Sequence, residues 1–290
     1  MTTATTHPHH RENDFAEEHH VYEPHLVGLP PLGAYLREAW RRRAFSWELS
    51  RTKLRAQHYN TVFGQLWLVL NPLLMALVYF LLVDILRGGH RPEHYFAHLV
   101  AGLFAFQIIH NTMTVGVTTV TKGGRLILNS AFPRALLPLS SVITAFLRFL
   151  PTLVIYIPVH IIAGLPFGPH LLWLIPLIFL MFVMASGAGM LVSALQVYFR
   201  DVKNFLPYFL RVWLYSSPVL YYADEVPDGL GWILYVNPLG GMLTAWSDVL
   251  IKGHAPEPWA IGMAAAWSFG IFLAGGLFFV SREREFAVRL

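Results

Sequence analysis

The sequence predicts an all-α integral membrane protein with six transmembrane helices, an N-terminal amphipathic interface helix and a re-entrant helical hairpin before the last span. Three observations support this fold class. Hydrophobic residues make up 55% of the 290 positions and charged residues only 13%, about half the usual share in soluble domains. Several apolar stretches approach the roughly 20 residues that cross a hydrocarbon layer. Charged residues cluster at the edges of these stretches, which indicates loops there.

The N-terminal segment 1–32 is polar, contains histidine patches and shows no hydrophobic periodicity. A metal-binding tail built from these histidines is conceivable, but the composition favours a disordered cytoplasmic tail. The segment has no apolar core of signal-peptide length. We assign it no chemistry.

Residues 33–55 predict an amphipathic helix. At 100° per residue, Leu36, Trp40 and Trp47 share one narrow face, which Arg43 joins. Tryptophans among arginines suit a helix that lies in the inner headgroup region with its basic side chains snorkelling. An ordinary cytosolic helix is the alternative.

The six apolar stretches follow within the segment 56–290. The positive-inside rule places both termini in the cytoplasm, because few of the 21 Lys and Arg residues then fall in outer loops. Only Arg87, Arg91 and Lys252 do so, while Arg148 and Arg211 lie within spans. The predicted spans lie near residues 65–86, 95–120, 137–164, 171–195, 205–222 and 259–280.

Within the external stretch 223–258, residues 229–251 are apolar but are interrupted by Asn237-Pro238 and a glycine pair. The candidate re-entrant segment covers about 223–251. It is too broken for a clean span and fits a re-entrant hairpin buried against protein. A surface-lying external helix is the alternative.

Polar side chains within the spans are candidates for lining a passage. Gln107, His110 and Asn111 cluster near the middle of the second span, where they suit either a passage or contact with a neighbouring helix. Tyr215 and Tyr222 could present flat faces to sugar rings, although most such aromatics form interfacial belts. For Arg148 we favour a place at the inner interface over one facing a pore.

The chain lacks signatures of its own energy source. None of its four lysines follows a glycine, so it contains no phosphate-binding Gly-Lys-Ser/Thr loop. It has no cysteine and therefore no catalytic thiol. Its basic residues lie beside apolar runs, which favours topology and lipid anchoring over nucleic-acid binding.

Short sequence strings follow one another in a specific order along the chain, although each string alone is weak. They include Tyr59, Gly64, Trp67, Asn71, Pro72, Phe199, Arg200, Asp201, Asn237 and Pro238. Over about residues 35–290 this set resembles the permeases of ABC-2 polysaccharide exporters, the Wzm and TagG type. Within the family the chain most resembles actinobacterial permeases of lipid-linked galactan. It departs at Trp246-Ser247-Asp248, where many members carry an arginine.

The resemblance implies a homodimer in the cytoplasmic membrane with two copies of a separate nucleotide-binding subunit. That subunit would bind Mg-ATP, and no cofactor is expected in this chain. It also implies an interface helix and a coupling helix at about residues 122–136. The coupling residues would be Arg125, Asn129, Phe132, Pro133 and Arg134.

The expected function is that of a non-enzymatic transport subunit that exports a lipid-linked polysaccharide, such as a galactan or an O-antigen-like polymer. One alternative is an ABC-2 permease for a small amphiphile or drug. The other is a polyprenyl-linked glycosyltransferase, for which Asp224 and Glu225 would be the acidic candidates.

Overall fold

The computed structural model describes residues 31–56, 66–90, 92–124, 127 and 132–290, and this part of the chain is helical, with no strand. Nothing is described for Tyr59, Gly64, Arg125 and Asn129, so the predictions on them lie outside the described residues. The same holds for residues 1–30 of the predicted tail.

Two helices replace the single helix predicted for residues 33–55: α1, Leu32–Arg41, and α2, Arg43–Ala56. The chain turns at Arg42, whose backbone leaves the helical region at φ −96° and ψ 15°. The Phe45 N–H donates to the Arg42 carbonyl at 3.0 Å. This bond joins residues three apart and so closes a tighter turn than the four-residue spacing of an α-helix. The interface segment therefore consists of two short rods rather than one.

A helix lies in each of the six apolar stretches, but only four helical stretches of the described residues are long and apolar enough to cross a membrane. These are Tyr95–Gly116, Leu136–Ile162, Pro169–Tyr198 and Pro258–Arg289. A shorter apolar helix covers Leu70–Leu86. The count of six spans therefore stays a prediction. The helices are α3, Trp67–Leu86; α4, Tyr95–Gly116; the short α5, Thr119–Lys122; α6, Leu136–Ile162; α7, Leu174–Tyr198; and α8, Val202–Ser216.

Helix α8 ends earlier than the apolar run that predicts it. Its 15 residues reach only about 22 Å at 1.5 Å per residue. The rest of the run, Ser217–Tyr222, is irregular backbone whose carbonyl groups are bound by side chains of α4. The Tyr95 hydroxyl donates to the Leu220 carbonyl at 2.9 Å, and His98 Nε2 lies 3.2 Å from the Tyr221 carbonyl. Such partners let non-helical backbone lie at membrane depth.

The segment after α8 is a series of short turns and helices, as its Asn-Pro and Gly-Gly breaks predict. It contains α9, Trp232–Val236, and α10, Gly240–Ser247, which runs into a π-helical turn, Asp248–Lys252. Every residue of α10 is buried. Its depth in a membrane stays a prediction. Two further helices close the chain: α11, Pro258–Arg282, and α12, Phe286–Arg289.

Helices α7 and α11 pack closely against each other. A Cβ built on Gly275 would lie 2.1 Å from the Gly187 carbonyl oxygen, and one built on Gly187 would lie 2.4 Å from the Ile271 carbonyl oxygen. Only glycine allows backbones to approach this closely, as in membrane helix pairs built on small residues. Helix α4 is the most enclosed candidate span, because α3, α6 and α7 all pack against it.

The contacts of the Asn237 side chain give the asparagine of the Asn-Pro string a structural role. Its amide links the end of α8 to the segment of short helices that follows. Its Oδ1 accepts from the Trp213 indole at 2.8 Å and from the Leu239 N–H at 3.0 Å. Its Nδ2 donates to the Ser216 carbonyl at 2.9 Å and to the Ser217 hydroxyl at 3.0 Å. Asn237 itself is buried, so its amide depends on these partners.

We expect Asn237→Leu to lower the free energy of unfolding by about 2–4 kcal/mol, because buried donors and acceptors would lose their partners. Thermal unfolding of the purified protein in detergent measures this. Asn204→Leu is the matched control, since Asn204 lies exposed on α8. Equal melting temperatures for the two variants would contradict the role of the Asn237 amide.

Candidate functional site

A polar cavity of about 260 Å³ lies between α3, α4 and α6 in an otherwise apolar bundle. It contains all three polar residues predicted from the second span, Gln107, His110 and Asn111. The sequence did not connect them with Asn71 or with Arg148, which the fold brings to the same cavity. The remaining lining residues are Trp67, Pro72, Phe104, Ala145, Phe149 and Thr152.

Arg148 is the cation of this cavity. It lies twelve residues into α6, about 18 Å from the start of that helix at Leu136. Its Nε is buried and has no hydrogen-bond partner, and no ion pair joins Arg148 to another described residue. His110 Nδ1 is likewise buried without a partner. The cavity therefore presents polar groups that the described part of the protein leaves unsatisfied.

The two tyrosines predicted to line a channel lie elsewhere. Tyr222 is buried at the other end of α4, where its hydroxyl donates to the Glu93 carbonyl at 3.0 Å and its ring stacks on His98 with centroids 4.0 Å apart. Tyr215 is 47% exposed on α8, with its ring 6.1 Å from that of Tyr79. The structure therefore divides the predicted channel residues among three places.

Tyr215 ends a stripe of exposed apolar side chains on α8, which we call the α8 stripe. Phe205, Tyr208, Val212 and Tyr215 form it, at spacings of three and four residues, and each is about half exposed or more. The opposite face of α8, including Leu206, packs into the core. The stripe offers a continuous aromatic surface to lipid or to a partner.

A second site lies at the end of the bundle where α1 and α2 pack. Glu283, just after α11, binds the predicted coupling loop and α1 together. Its carboxylate accepts hydrogen bonds from the Tyr35 hydroxyl and, at 2.9 Å, from the Arg134 N–H. The Arg134 guanidinium donates to the Glu283 carbonyl, and the Ala135 N–H donates to the Tyr35 hydroxyl at 3.2 Å. We call these four residues the Glu283 clasp.

Burial dominates the electrostatics of the clasp. It raises the pKa of the Glu283 carboxyl above its usual range, although the Arg134 N–H and the Tyr35 hydroxyl oppose this. Burial and the neighbouring carboxylate also raise the pKa of Tyr35. Arg134 thus takes part in an internal junction with Glu283, and its contact with a motor subunit stays a prediction.

A cleft of about 330 Å³ opens beside the clasp. Phe132 and Pro133 of the predicted coupling loop line it, together with Glu38 of α1 and Arg284. Phe132 also packs on Phe45 of α2, with ring centroids 5.3 Å apart. Of the predicted coupling residues that the structure describes, Phe132 and Pro133 are thus at the cleft and Arg134 is in the clasp.

The predicted apolar face of the interface segment is exposed, as an interfacial position requires. Leu36, Trp40 and Trp47 are 64%, 68% and 43% exposed, and the Arg43 guanidinium lies 4.6 Å from the Trp40 ring centroid. This exposure spans both α1 and α2. It is the arrangement expected of a segment whose apolar side contacts lipid.

The other face of α2 is fixed to α6 by side-chain hydrogen bonds. The Ser46 hydroxyl donates to the Leu136 carbonyl at 2.8 Å and the Ser50 hydroxyl to the Ser140 carbonyl at 2.7 Å. Lys53 Nζ lies 3.0 Å from the Ser140 hydroxyl, and burial lowers the pKa of Lys53 to about 8. These contacts join the interface segment to the helix that carries Arg148.

Ion pairs occupy Asp224 and Glu225, the acidic candidates of the alternative function. Glu225 forms a bidentate pair with Arg87 at 2.6 and 2.9 Å, which lowers the pKa of the Glu225 carboxyl. Lys252 binds Asp224 at 2.7 Å and the buried Asp248 at 3.3 Å. These pairs join the segments around them and give the acidic candidates a structural role.

The Phe-Arg-Asp string forms the tight connection between α7 and α8. Gln196 stabilises it, donating from Nε2 to the Arg200 carbonyl at 2.9 Å and accepting the Lys203 N–H at 2.8 Å. Phe199 is 65% exposed at this turn, and Arg200 and Asp201 are exposed as well.

Comparison with known proteins gives a family match over most of the chain. The sequence profile of the ABC-2 type transporter family matches residues 46–251. An O-antigen export system permease protein, RfbA, from Klebsiella pneumoniae is 29% identical over 206 residues, which cover 71% of this chain and 79% of the relative. A protein of the same name from Myxococcus xanthus is 27% identical over 258 residues, or 87% of this chain and 97% of the relative.

Proposed function

Since this chain belongs to the ABC-2 type transporter family, we propose that it is the membrane permease subunit of an exporter of a lipid-linked polysaccharide. The observation that carries the proposal is the similarity to O-antigen export permeases, one of which matches over 97% of its length. The polar cavity within the apolar bundle supports it, because a sugar-bearing substrate needs polar groups at membrane depth.

In this proposal a separate ATPase subunit, present in two copies, binds Mg-ATP and supplies the energy. The cleft lined by Phe132 and Pro133 is its docking place. Movement there passes through the Glu283 clasp to α11 and through α2 to α6, because rigid elements held by several bonds transmit displacement.

We further propose six spans with both termini in the cytoplasm, a re-entrant segment at 223–251, and a homodimer. The α8 stripe faces the second copy in this arrangement. A long polymer cannot be enclosed by one alternating cavity, so the route would run between the copies, lined by aromatic faces such as that of Tyr215. A galactan is the polymer suggested by the sequence strings.

The test is reconstitution of the chain with its ATPase in vesicles. Lipid-linked polymer should reach the far side only when ATP and both subunits are present. A small amphiphile should not be exported in its place. Export without the ATPase, or nucleotide hydrolysis by the chain alone, would refute the proposal.

We expect His110→Leu to slow polymer export about tenfold, because a polar group in the cavity is replaced by an apolar one. ATP hydrolysis should continue at a similar rate. His90→Leu, which changes an exposed histidine outside the cavity, is the control. Normal export by His110→Leu would show that this side chain serves helix packing instead.

A further inference from the structure

The cavity between α3, α4 and α6 has an unbalanced charge. The half-buried Arg148 is its cation, and none of the described residues that line it carries a carboxylate. A guanidinium withdrawn from water without a counter-ion is costly, so proteins rarely leave one unpaired. The arrangement indicates an anion as the missing partner.

The other polar groups suit the same ligand. Asn71, Gln107 and Asn111 each carry an amide that can donate hydrogen bonds, and the His110 ring adds a further donor. A guanidinium with several neutral donors binds the oxygens of a phosphate group well, because such hydrogen bonds are charge-assisted.

The polar groups of the cavity extend from near one end of α3 and α4 towards the middle of the bundle, where Gln107 and Arg148 lie. Asn71 is four residues from the start of α3 and Asn111 five residues from the end of α4, which is about 6–8 Å of helix. Both helix ends face the side on which the Glu283 clasp lies.

An apolar surface adjoins the cavity and could hold a hydrocarbon tail. Beyond Asn71, the side chains of Leu74, Val78 and Leu82 follow at helical spacing along α3 and are 46%, 58% and 47% exposed. A polar pocket at one end of an apolar stripe matches an amphiphile with a charged head.

We propose that this cavity binds the phosphate group of a membrane lipid, with Arg148 as the charge partner and the α3 stripe beside the tail. The proposal deepens the proposed function and rests on it in one respect: the expected lipid is a polyprenyl diphosphate that carries the polymer. An anionic phospholipid has the same headgroup chemistry, and the experiment distinguishes the two.

The test measures ligand-induced stabilisation of the purified chain in neutral detergent. A polyprenyl diphosphate should raise the melting temperature in proportion to the logarithm of its concentration, since it binds the folded state. Arg148→Gln should weaken binding tenfold or more, the effect of losing a charged hydrogen bond. Arg148→Lys should retain part of the affinity. Arg211→Gln, which removes a charge from α8 outside the cavity, should bind normally.

Arg148→Gln should fold, because it removes a charge that has no counter-ion in the cavity. Without ligand, this variant should melt at the wild-type temperature or above. Phosphatidylglycerol and inorganic pyrophosphate serve as the comparison probes. If both probes bind more weakly than the polyprenyl diphosphate, the assignment of that lipid is supported. If phosphatidylglycerol binds as tightly, the cavity does not select the polyprenyl diphosphate. If pyrophosphate binds as tightly, the hydrocarbon tail plays no part in binding.

Equal affinity of Arg148→Gln and the wild-type chain for every probe overturns the site. That result leaves the proposed function intact if reconstituted vesicles still export polymer. Conversely, absent export together with Arg148-dependent binding rejects the function and retains the site.

Discussion

Gly275→Ala should reduce the yield of folded protein severely, because the added methyl group has no space. Its carbon would lie 2.1 Å from the Gly187 carbonyl oxygen on α7, and the obstacle is backbone, which cannot rotate aside. Either α7 and α11 separate, or both bend. We expect a loss of about 3 kcal/mol or more in the free energy of unfolding, at the upper end for an overpacked core. The folded fraction and its melting temperature in detergent measure this.

Gly270→Ala is the control, since it makes the same change in the same helix at a position with no atom within 4 Å of the new carbon. It should be neutral or stabilising, because alanine favours helix by about 1 kcal/mol over glycine. If both variants fold equally well, the close approach of α7 and α11 is not a requirement of the fold.

Glu283→Ala should uncouple ATP hydrolysis from export. The change removes the acceptor for the Tyr35 hydroxyl and the Arg134 N–H, so α1 and the coupling loop lose their shared anchor on α11. Hydrogen bonds to a charged group are each worth about 1.5–3 kcal/mol, so the docked arrangement becomes a minor state. We expect polymer export to fall at least about tenfold while ATP hydrolysis by the complex persists.

Glu48→Ala, in the exposed part of α2, is the control and should export normally. Arg134→Glu would be a poorer test, since it would place a second carboxylate beside Glu283 as well as altering the cleft. Tight coupling in Glu283→Ala would mean that the clasp does not transmit movement.

Hydropathy predicts where the long helices lie because span length and apolar content are local properties. The same property cannot show that α8 stops at Ser216, since buried irregular backbone is as apolar as helix. One signal was available in the sequence. Pro218 disfavours helical backbone at Ser217, and α8 ends at Ser216, just before it.

Contacts between distant residues could not be predicted in the same way. Glu283 and Arg134 are 149 positions apart, and neither belongs to a pattern that indicates a partner. Likewise, Arg148 shares a cavity with Gln107 only because of how α6 is rotated against α4. Helix rotation depends on packing along the whole pair, which one sequence does not specify.

The change from helix to irregular chain at Ser217 leaves α8 as a short rigid helix followed by a jointed connection. A continuous helix would carry any displacement of its Val202 end along the whole apolar stretch. Irregular backbone absorbs such a displacement by rotation about its dihedral angles. We therefore expect the Val202 end of α8 to tilt while the Arg87–Glu225 pair stays closed. In the proposed topology, this would loosen the cytoplasmic side of the membrane barrier and keep the other side sealed.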